Sequence, residues 1–281
     1  MIFKAHGYQE RAIKMIEDLP ACGLFLDMGL GKTVVTLTAI DELIYDRFEV
    51  SRVLVIAPLR VAQDTWSREA EKWDHLKHLQ ISKVLGSEKQ RQDALTTVKA
   101  DVYVINRENM VWLVEWLEAR RIRWPFDMVV IDELSSFKSN QAKRFKALKR
   151  VRPMIDKIVG LTGTPAGNSL EDLWAEMYLL DRGERLGKYI NRYRQDYFTA
   201  GYGVGAIVYK WRPKKGALEA ITQRISDITV SMRAEDYLEL PDMITRSSLT
   251  TRQGKHTARW SVTACCRLMR RARSRHSMRR L

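Results

Sequence analysis

The sequence predicts an α/β fold in which a doubly wound, mostly parallel sheet is followed by a small helical or irregular C-terminal extension. Two observations predict it: short apolar runs rich in Val, Ile and Leu recur along the first 180 residues, and a longer stretch with helical spacing follows each run. Strands that are apolar throughout are typical of a parallel sheet covered by helices on both faces. The predicted strands are Cys22–Met28, Arg52–Ala57, Val102–Asn106, Met128–Asp132 and Lys157–Thr162.

Amphipathic helices are predicted between these strands, because apolar residues recur there at intervals of three or four. The clearest are Val34–Tyr45, a helix carrying Ala62, Trp66, Ala70 and Trp73, and a helix carrying Leu170, Leu173, Trp174, Met177 and Leu180. In open α/β sheets, ligands bind at the carboxyl ends of the strands. Residues at those ends are therefore the first candidates for function.

The charge of the chain is unevenly distributed. Its 281 residues include 48 Lys and Arg against 34 Asp and Glu, a formal net charge of +14. Residues 245–281 contain ten Arg, one Lys and no acidic residue, so they carry +11 of that total. A basic chain favours nucleic acid as a partner, but residues 1–244 are nearly neutral. The nucleic-acid case for the body of the chain therefore depends on placed motifs.

Several classes of protein are excluded by composition. No uncharged apolar run reaches about 18 residues, so we expect neither a membrane-spanning helix nor a membrane partner. The amino terminus, Met1–His6, lacks the apolar core of a signal peptide, which predicts a cytoplasmic location. Cys22 stands alone and Cys265 and Cys266 are adjacent, so neither a disulfide framework nor a zinc site with CxxC spacing is expected.

Three regions are predicted along the chain. Residues 1–182 form the α/β domain, and residues 183–244 form an extension of polar helical segments separated by turns that contain Gly or Pro. Residues 245–281 form a basic tail that we expect to be disordered, because its few large apolar residues cannot offset the entropy of the chain. Two origins of the tail stay open: a native arm that binds DNA or RNA, or a sequence read in a shifted frame.

The first functional candidate is the loop Leu26–Thr33, which follows a predicted strand and opens a predicted helix. Backbone N–H groups of such a loop wrap phosphates, and the helix amino terminus adds a positive partial charge. Lys32 would reach the β and γ phosphates, and the Thr33 hydroxyl would ligate Mg²⁺. The predicted binding residues are Met28, Gly29, Leu30, Gly31, Lys32 and Thr33. Leu26 replaces the first Gly of the GxxxxGK[ST] consensus, so a Gly-rich turn with an incidental Lys-Thr is the alternative.

The second candidate is Asp132-Glu133, at the end of an apolar strand about 100 residues after Lys32. Asp132 would hold Mg²⁺ directly or through water, and Glu133 would orient and polarise an attacking water. These roles suit phosphoryl transfer, which depends mainly on positioning and on stabilising charge. Alone, such a pair is more often the cap and first turn of a helix. Paired with Lys32, it predicts catalytic residues: Lys32, Asp132 and Glu133.

Together with Leu161-Thr162-Gly163-Thr164-Pro165, these motifs resemble the first motor lobe of Swi/Snf-related ATPases. Those proteins belong to the helicase superfamily that includes the DEAD/DEAH-box proteins, and the compact forms encoded by bacteriophages are similar in using Leu-Asp-Met-Gly-Leu-Gly-Lys-Thr. The resemblance covers about residues 4–240. It implies that residues 1–182 are a RecA-like ATP-binding lobe of the phosphate-loop NTPase type and that residues 183–244 lead toward a second lobe. If the chain is phage-encoded, the host cytoplasm is the expected location.

The resemblance assigns roles to further residues at strand ends. It implies that Gln9 reads the edge of the adenine base, and that Arg60 and Gln63, within a segment that continues to Trp66, touch the nucleic-acid backbone. Asn106 matches a weaker strand-end element of the same DNA track. Thr162, Gly163 and Thr164 form the element that couples the state of the nucleotide to the grip on nucleic acid.

The function that the resemblance implies is a DNA-dependent ATPase or helicase-like translocase, with ATP and Mg²⁺ as cofactors and DNA, more often duplex than single-stranded, as partner. It also implies a second RecA-like lobe that supplies an arginine finger. We expect that lobe to be missing from these 281 residues and the isolated chain to hydrolyse ATP weakly. The alternative is a nucleotide-dependent DNA-binding module without useful ATP turnover. The oligomeric state is not predicted.

Two basic stretches allow either a DNA-facing or a solvated interpretation. Residues 143–152 place Phe145, Leu148 and Val151 at helical spacing with the charges outside, which favours a solvated helix face. Residues 209–215 interleave aromatic and cationic side chains, which suits stacking against nucleic acid as well as an exposed turn.

Overall fold

The computed structural model describes residues 1–163, 170–204, 207–208 and 210–232. In this part of the chain the strands are β1 (Ala21–Leu26), β2 (Val53–Ala57), β3 (Ile81–Val84), β4 (Val102–Asn106), β5 (Met128–Asp132), β6 (Lys157–Thr162), β7 (Phe198–Ala200), β8 (Gly203–Val204), β9 (Ile207–Val208), β10 (Trp211–Pro213) and β11 (Thr229–Met232). The helices are α1 (Gly7–Asp18), α2 (Lys32–Asp41), α3 (Trp66–Lys72), α4 (Glu88–Thr96), α5 (Met110–Ala119), α6 (Lys143–Val151), α7 (Leu173–Asp181), α8 (Ile190–Tyr197) and α9 (Ala217–Ile225).

Seven of the described strands form one parallel sheet in the order β11-β1-β6-β5-β2-β4-β3. Helices cover both faces of the sheet, so the predicted doubly wound α/β fold is confirmed. α1, α2 and α3 lie on one face, and α5, α6 and α7 lie on the other. Four of the five predicted strands, β2, β4, β5 and β6, are found within one residue of their predicted bounds, whereas β1 ends at Leu26, two residues before the predicted end.

The alternation of side chains along the central strands explains why these strands are apolar throughout. In β5, Met128 and Val130 pack on the face that carries α1 and α2, whereas Val129 and Ile131 pack on the face that carries α5 and α6. All four side chains are fully buried. Because neighbouring residues of a strand point to opposite faces, a sheet covered on both sides requires apolar residues at every position.

Helix boundaries differ locally from the predicted ones. The helix predicted over Val34–Tyr45 begins at Lys32, and its last turn, Glu42–Asp46, is a π-helical turn. The helix predicted around Ala62 and Trp66 likewise starts with a π turn, Val61–Thr65, before α3. α6 forms over the basic stretch as predicted, with Phe145, Leu148 and Val151 buried.

The extension contains two antiparallel ribbons, β7 with β10 and β8 with β9, flanked by α8 and α9. β11 then returns to the main sheet and pairs with β1, so the sheet includes a strand that lies beyond the predicted boundary at residue 182. That boundary stays a prediction. The basic tail, residues 245–281, lies outside the described residues. Within the described ranges, none of the helices is both long and apolar enough to cross a membrane.

The strand order decides which strand ends meet. β1, β6 and β5 are neighbours, so residues 26–32, residues 132–133 and residues 162–163 share one stretch of the carboxyl edge. We call this stretch the phosphate-loop edge. β2 and β4 lie next to it, and their ends carry residues 57–63 and Asn106. We call this second stretch the β2–β4 edge.

Candidate functional site

The loop between β1 and α2 has the backbone needed to hold an anion. Gly29 and Gly31 both have positive φ, +86° and +76°, and Gly31 is the N-cap of α2. The Val35 N–H donates to the Gly31 carbonyl at 3.0 Å, which closes the first turn of the helix. The N–H groups that precede Val35 have no acceptor within the helix, as at any helix amino terminus. They are therefore available to an anion bound at this loop.

Lys32 lies in this loop with its ammonium group turned toward the end of β1. Its Nζ donates to the carbonyl oxygens of Leu26, at 2.6 Å, and of Asp27, at 3.1 Å. Burial lowers the pKa of Lys32, while the negative charges of Asp132, Glu133 and Asp27 raise it. Leu26, which replaces a consensus Gly, thus contributes through its carbonyl oxygen, a group that any residue supplies.

Asp132 ends β5 and faces the same space. Its Oδ2 accepts a hydrogen bond from the indole Nε1–H of Trp66 at 3.0 Å. Burial raises the pKa of Asp132, and the bond from Trp66 and the charge of Lys32 oppose that shift. The carboxylate therefore has a cation and a fixed donor beside it, although it comes from a strand far from both in sequence.

Glu133 follows in a left-handed backbone conformation, with φ +65°. Its Oε1 accepts hydrogen bonds from the Ser135 hydroxyl and, at 3.5 Å, from the Thr162 hydroxyl at the end of β6. The next residue, Leu134, is fully buried against Gly160 of β6, where an added Cβ would lie only 2.6 Å from Leu134 Cδ2. Close packing of this turn on β6 holds Glu133 in a conformation that a non-Gly residue rarely adopts.

Gln9 and Tyr8, at the start of α1, connect that helix to the phosphate loop. The Tyr8 hydroxyl and Gln9 Nε2 donate to the Leu30 carbonyl at 3.2 and 3.3 Å. Gln9 Oε1 accepts from the backbone N–H of His6 at 2.9 Å. The Gln9 amide, predicted to read a base edge, is thus hydrogen-bonded to the protein through both its oxygen and its nitrogen. It links α1 to the loop.

A cavity of about 860 Å³ unites these groups. Its lining includes seven residues that the sequence singled out: Gln9, Met28, Gly29, Gly31, Lys32, Thr33 and Asp132. Two other predicted residues, Leu30 and Glu133, are not among the described residues that line it. The Leu30 side chain is fully buried in the core, so only its backbone belongs to the loop. Glu133 lies beside the cavity.

One wall of the cavity was missed by reasoning from the sequence. It is formed by α3 and the chain that leads into α1, and it includes Phe3, His6, Thr65, Glu69 and Trp73. Thr65, Glu69 and Trp73 are spaced by four residues, so they share one face of the helix. The apolar spacing that predicted this helix included Trp73, but it gave no signal that Thr65 and Glu69 would line a cavity. Phe3 packs edge-on against Trp73, with ring centroids 5.3 Å apart.

The predicted DNA contacts fall into two groups. Arg60 and Gln63 are exposed on the segment after β2, where a ligand can reach them. Asn106 is only 8% exposed, and its amide bonds to Glu108 and Asn109. Trp66 is fully buried, so it does not present a surface to nucleic acid.

Two residues of the predicted coupling element, Thr162 and Gly163, lie within the described part of the chain. Thr162 bonds to Glu133, and a Cβ added to Gly163 would lie 3.9 Å from Lys32 Nζ. The end of β6 therefore contacts both of the predicted catalytic motifs. Thr164 lies outside the described residues.

The two protein oxygen donors of the cavity suit Mg²⁺, whose other ligands are usually phosphates and water. They suit less well a metal whose ligands all come from the protein. Thr33 offers a hydroxyl and Asp132 a carboxylate, and both line the cavity. Among the described residues, no group of three or more His, Cys, Asp or Glu side chains could hold a metal. Mg²⁺ is usually bound through one or two carboxylates together with substrate phosphates and water. A site with two protein oxygens next to a phosphate loop meets that requirement.

The chain is similar in sequence to known proteins. The chain is 36% identical over 247 residues to protein p41 of Acyrthosiphon pisum secondary endosymbiont phage 1, an alignment that covers 86% of this chain and 53% of p41. It is 33% identical over 170 residues to the chromatin remodeling factor mit1 of Schizosaccharomyces pombe, covering 57% of this chain and 11% of that protein. The chain spans about half the length of p41 and a smaller share of mit1.

A solved structure shares the fold. The Sulfolobus solfataricus SWI2/SNF2 ATPase core in complex with dsDNA superposes with a TM-score of 0.63 at 24% identity, over 83% of this chain and 45% of that one. The family profile of the SNF2-related domain matches residues 8–188, which include the phosphate loop, Asp132-Glu133 and the end of β6. The resemblance inferred from the sequence motifs is thereby confirmed, and the chain belongs to the SNF2-related family.

Proposed function

We propose that this chain binds ATP with Mg²⁺ at the phosphate-loop edge and hydrolyses ATP in response to DNA. The observation that carries the proposal is that Lys32, Thr33 and Asp132 line one cavity, although Asp132 lies about 100 residues after the other two in sequence. A cation, a hydroxyl and a carboxylate around the open amino terminus of a helix suit a nucleoside triphosphate.

Each residue has a role in this proposal. The loop N–H groups and Lys32 bind the phosphates, and Lys32 leaves the Leu26 and Asp27 carbonyls to do so. Thr33 and Asp132 would hold Mg²⁺, which when bound neutralises charge on the phosphate oxygens. Glu133 orients the attacking water, and Ser135 and Thr162 hold its carboxylate in place. Gln9 supports the loop through the Leu30 carbonyl.

DNA is proposed as the partner that stimulates turnover. The neighbour in the structural comparison is described as an ATPase core in complex with dsDNA, which favours duplex over single-stranded DNA here. We propose Arg60 and Gln63 as contacts to the DNA backbone, because they are exposed next to the phosphate-loop edge. We also propose that efficient hydrolysis needs a second RecA-like lobe with an arginine finger, whose loss typically reduces the rate by about 10³–10⁵.

The test compares DNA-stimulated ATP hydrolysis by the wild-type chain and by Lys32→Ala. Hydrolysis that falls on the order of 100-fold or more in the variant supports the proposal, since Lys32 is the only cation we assign to the phosphates. Lys83→Ala is the matched control, because Lys83 is exposed on β3 and lies outside the cavity lining. Equal rates in wild type and Lys32→Ala, together with equal affinity for ATP, would refute the proposed site.

Glu133→Gln separates binding from hydrolysis. The amide keeps the size of the side chain but is a poorer partner for water, so hydrolysis should fall on the order of 100-fold while ATP affinity changes little. The measurements are ATP binding by fluorescence and phosphate release. Salt-sensitive DNA binding without turnover in wild type would instead support the alternative function, a nucleotide-dependent DNA-binding module.

A further inference from the structure

Trp66 is both fully buried and hydrogen-bonded to one of the predicted catalytic residues. Its side chain is fully buried in the apolar cluster between the sheet and the first three helices. Its indole N–H nevertheless donates to Asp132 Oδ2 at 3.0 Å. Packing alone would be served by Phe or Leu at this position, whereas only a residue with a polar tip can reach the carboxylate. The hydrogen bond therefore joins the segment after β2 to the end of β5.

The backbone before Trp66 sets the direction of its indole. Residues Val61–Thr65 form a π turn, which contains one residue more than an α-helical turn with the same course. In an α-helix one residue corresponds to a rotation of about 100°. Without the extra residue, the side chain at position 66 would leave the helix on another side. The π turn thus points Trp66 at Asp132, while Ala62 on the same turn is buried and Gln63 is exposed.

The rest of α3 holds the indole in place. α3 packs against α2, the helix that begins with Lys32 and Thr33. Thr65 and Glu69, which flank Trp66 in sequence, line the same cavity as Asp132. The indole N–H that donates to Asp132 therefore belongs to α3, a helix that packs against α2, the proposed phosphate-binding helix. A metal-ligating carboxylate that accepts a hydrogen bond from such a donor keeps one orientation before the cation binds.

We propose that Trp66 is the positioning residue of Asp132, and that its N–H bond presets this carboxylate to bind Mg²⁺ with the nucleotide. The inference rests on the proposed function, in which Asp132 and Thr33 hold the cation. Trp66 itself does not touch the cation or the nucleotide. Donors to metal-ligating side chains typically account for about 10–100-fold in metal affinity.

The test measures the Mg²⁺ concentration at which a fluorescent ATP analogue becomes tightly bound, for wild type and Trp66→Phe. Phe keeps an aromatic ring in the core but removes the N–H together with part of the indole, so a control that loses the same atoms elsewhere is needed. We expect the half-saturating Mg²⁺ concentration to rise on the order of tenfold, with the affinity for the analogue in EDTA unchanged within about twofold. The fluorescence readout reports binding and needs no turnover.

The matched control is Trp124→Phe. Trp124 is also buried, 7% exposed, and packs against Phe126 on the opposite face of the sheet, with no hydrogen-bond partner for its Nε1 among the described residues. This substitution should leave the Mg²⁺ dependence unchanged. An equal shift in both variants would reduce the role of Trp66 to packing and overturn the inference.

The outcomes separate this inference from the proposed function. If wild type shows no Mg²⁺-dependent binding of the analogue, the proposed function fails. If wild type binds with Mg²⁺ and Trp66→Phe has the same half-saturating concentration, only the positioning role is refuted. Should Trp66→Phe not fold, the indole N–H resonance of Trp66 in wild type gives the answer. That resonance should shift when Mg²⁺ is added to the nucleotide-bound chain, and an unmoved resonance would refute the role.

Discussion

The two neighbouring stretches of the carboxyl edge are built differently. At the phosphate-loop edge the polar side chains are bonded to the protein: Lys32 to two carbonyls, Asp132 to Trp66, and Glu133 to Ser135 and Thr162. At the β2–β4 edge, Arg60 and Gln63 extend into solvent, while Asn106 is buried and bonded to its neighbours. The phosphate-loop edge thus bonds these groups to the protein, whereas the β2–β4 edge leaves Arg60 and Gln63 exposed beside a bonded Asn106.

The difference teaches which kind of ligand each stretch suits. Groups that act on a small, highly charged ligand are most effective when their positions are set in advance, because no reorganisation is then needed. Contacts to a nucleic-acid backbone tolerate flexible side chains, since they act mainly through charge. Trp66 lies between the two stretches, on the chain that leaves β2 and bonded to the end of β5.

The largest effect should come from breaking the geometry of the phosphate-loop edge with Gly31→Ala. Gly31 has φ +76°, and an added Cβ would lie 2.7 Å from Gln9 Nε2. The left-handed conformation costs a non-Gly residue about 1–2 kcal/mol, and the displaced Gln9 would release the Leu30 carbonyl. We expect ATP affinity to fall by tenfold or more, measured by fluorescence titration.

Gly216→Ala is a closely matched control for that substitution. Gly216 is also the N-cap of a helix, α9, and has φ +78°, but an added Cβ would meet open space. It should lower the melting temperature through backbone strain alone and leave ATP affinity intact. If both variants lose ATP affinity equally, global destabilisation explains the loss and the contact between Gly31 and Gln9 is not needed.

An intermediate effect is expected from substituting Glu176. This residue departs from the pattern near the phosphate-loop edge, where the polar side chains are hydrogen-bonded to the protein. Glu176 of α7 is 2% exposed, and its Oε2 has no hydrogen-bond partner among the described residues. Burial, with the charges of Asp172 and Glu133, raises the pKa of Glu176 to about 8, and the charge of Lys138 opposes that shift. The carboxyl is therefore protonated in the folded chain at neutral pH.

The sign of the pH dependence follows from that raised pKa. Below about pH 4.5 the carboxyl is protonated in both states, so it makes stability no more dependent on pH. Between pH 4.5 and 8 only the unfolded chain ionises, so stability falls as pH rises. Glu176→Gln has no proton to lose. Its melting temperature should therefore exceed that of wild type by several degrees at pH 8.5, and by little at pH 5. A difference that does not change with pH would contradict this assignment.

Sequence reasoning located the sheet, and it named Lys32, Thr33 and Asp132, which line one cavity, because both depend on local signals. A buried parallel strand requires a continuous apolar run, and Lys32, Thr33 and Asp132 follow such runs directly. β3, Ile81–Val84, gave a weaker signal: it is an edge strand of four residues with an exposed Lys83. α4, which follows it, has no fully buried residue, and only Ala94 and Leu95 pack partly buried against the core, so its sequence has a weak apolar face.

One feature depended on a tertiary contact that no local pattern carries: the bond from Trp66 to Asp132 joins two strand ends that only the sheet order brings together. Asn106 differs, because its partners Glu108 and Asn109 are local. It was assigned to the DNA track from its place at a strand end, a signal that does not tell a buried amide from an exposed one. The roles of the site residues, including those of Arg60 and Gln63, stay predictions.

The smallest effects should distinguish two of the three residues of the β2–β4 edge that were assigned to DNA, Arg60 and Asn106. Arg60→Ala removes an exposed cation, so DNA affinity should fall a few-fold, and the slope of log affinity against log salt concentration should decrease by about 1. Asn106→Ala removes a buried amide that satisfies Glu108 and Asn109. It should cost about 1–3 kcal/mol of stability and leave the salt slope unchanged. Salt titrations of duplex-DNA binding and urea unfolding measure both quantities. If Asn106→Ala reduced the salt slope and Arg60→Ala did not, exposure would be the wrong guide to DNA contact, and the β2–β4 edge would have to rearrange to bind.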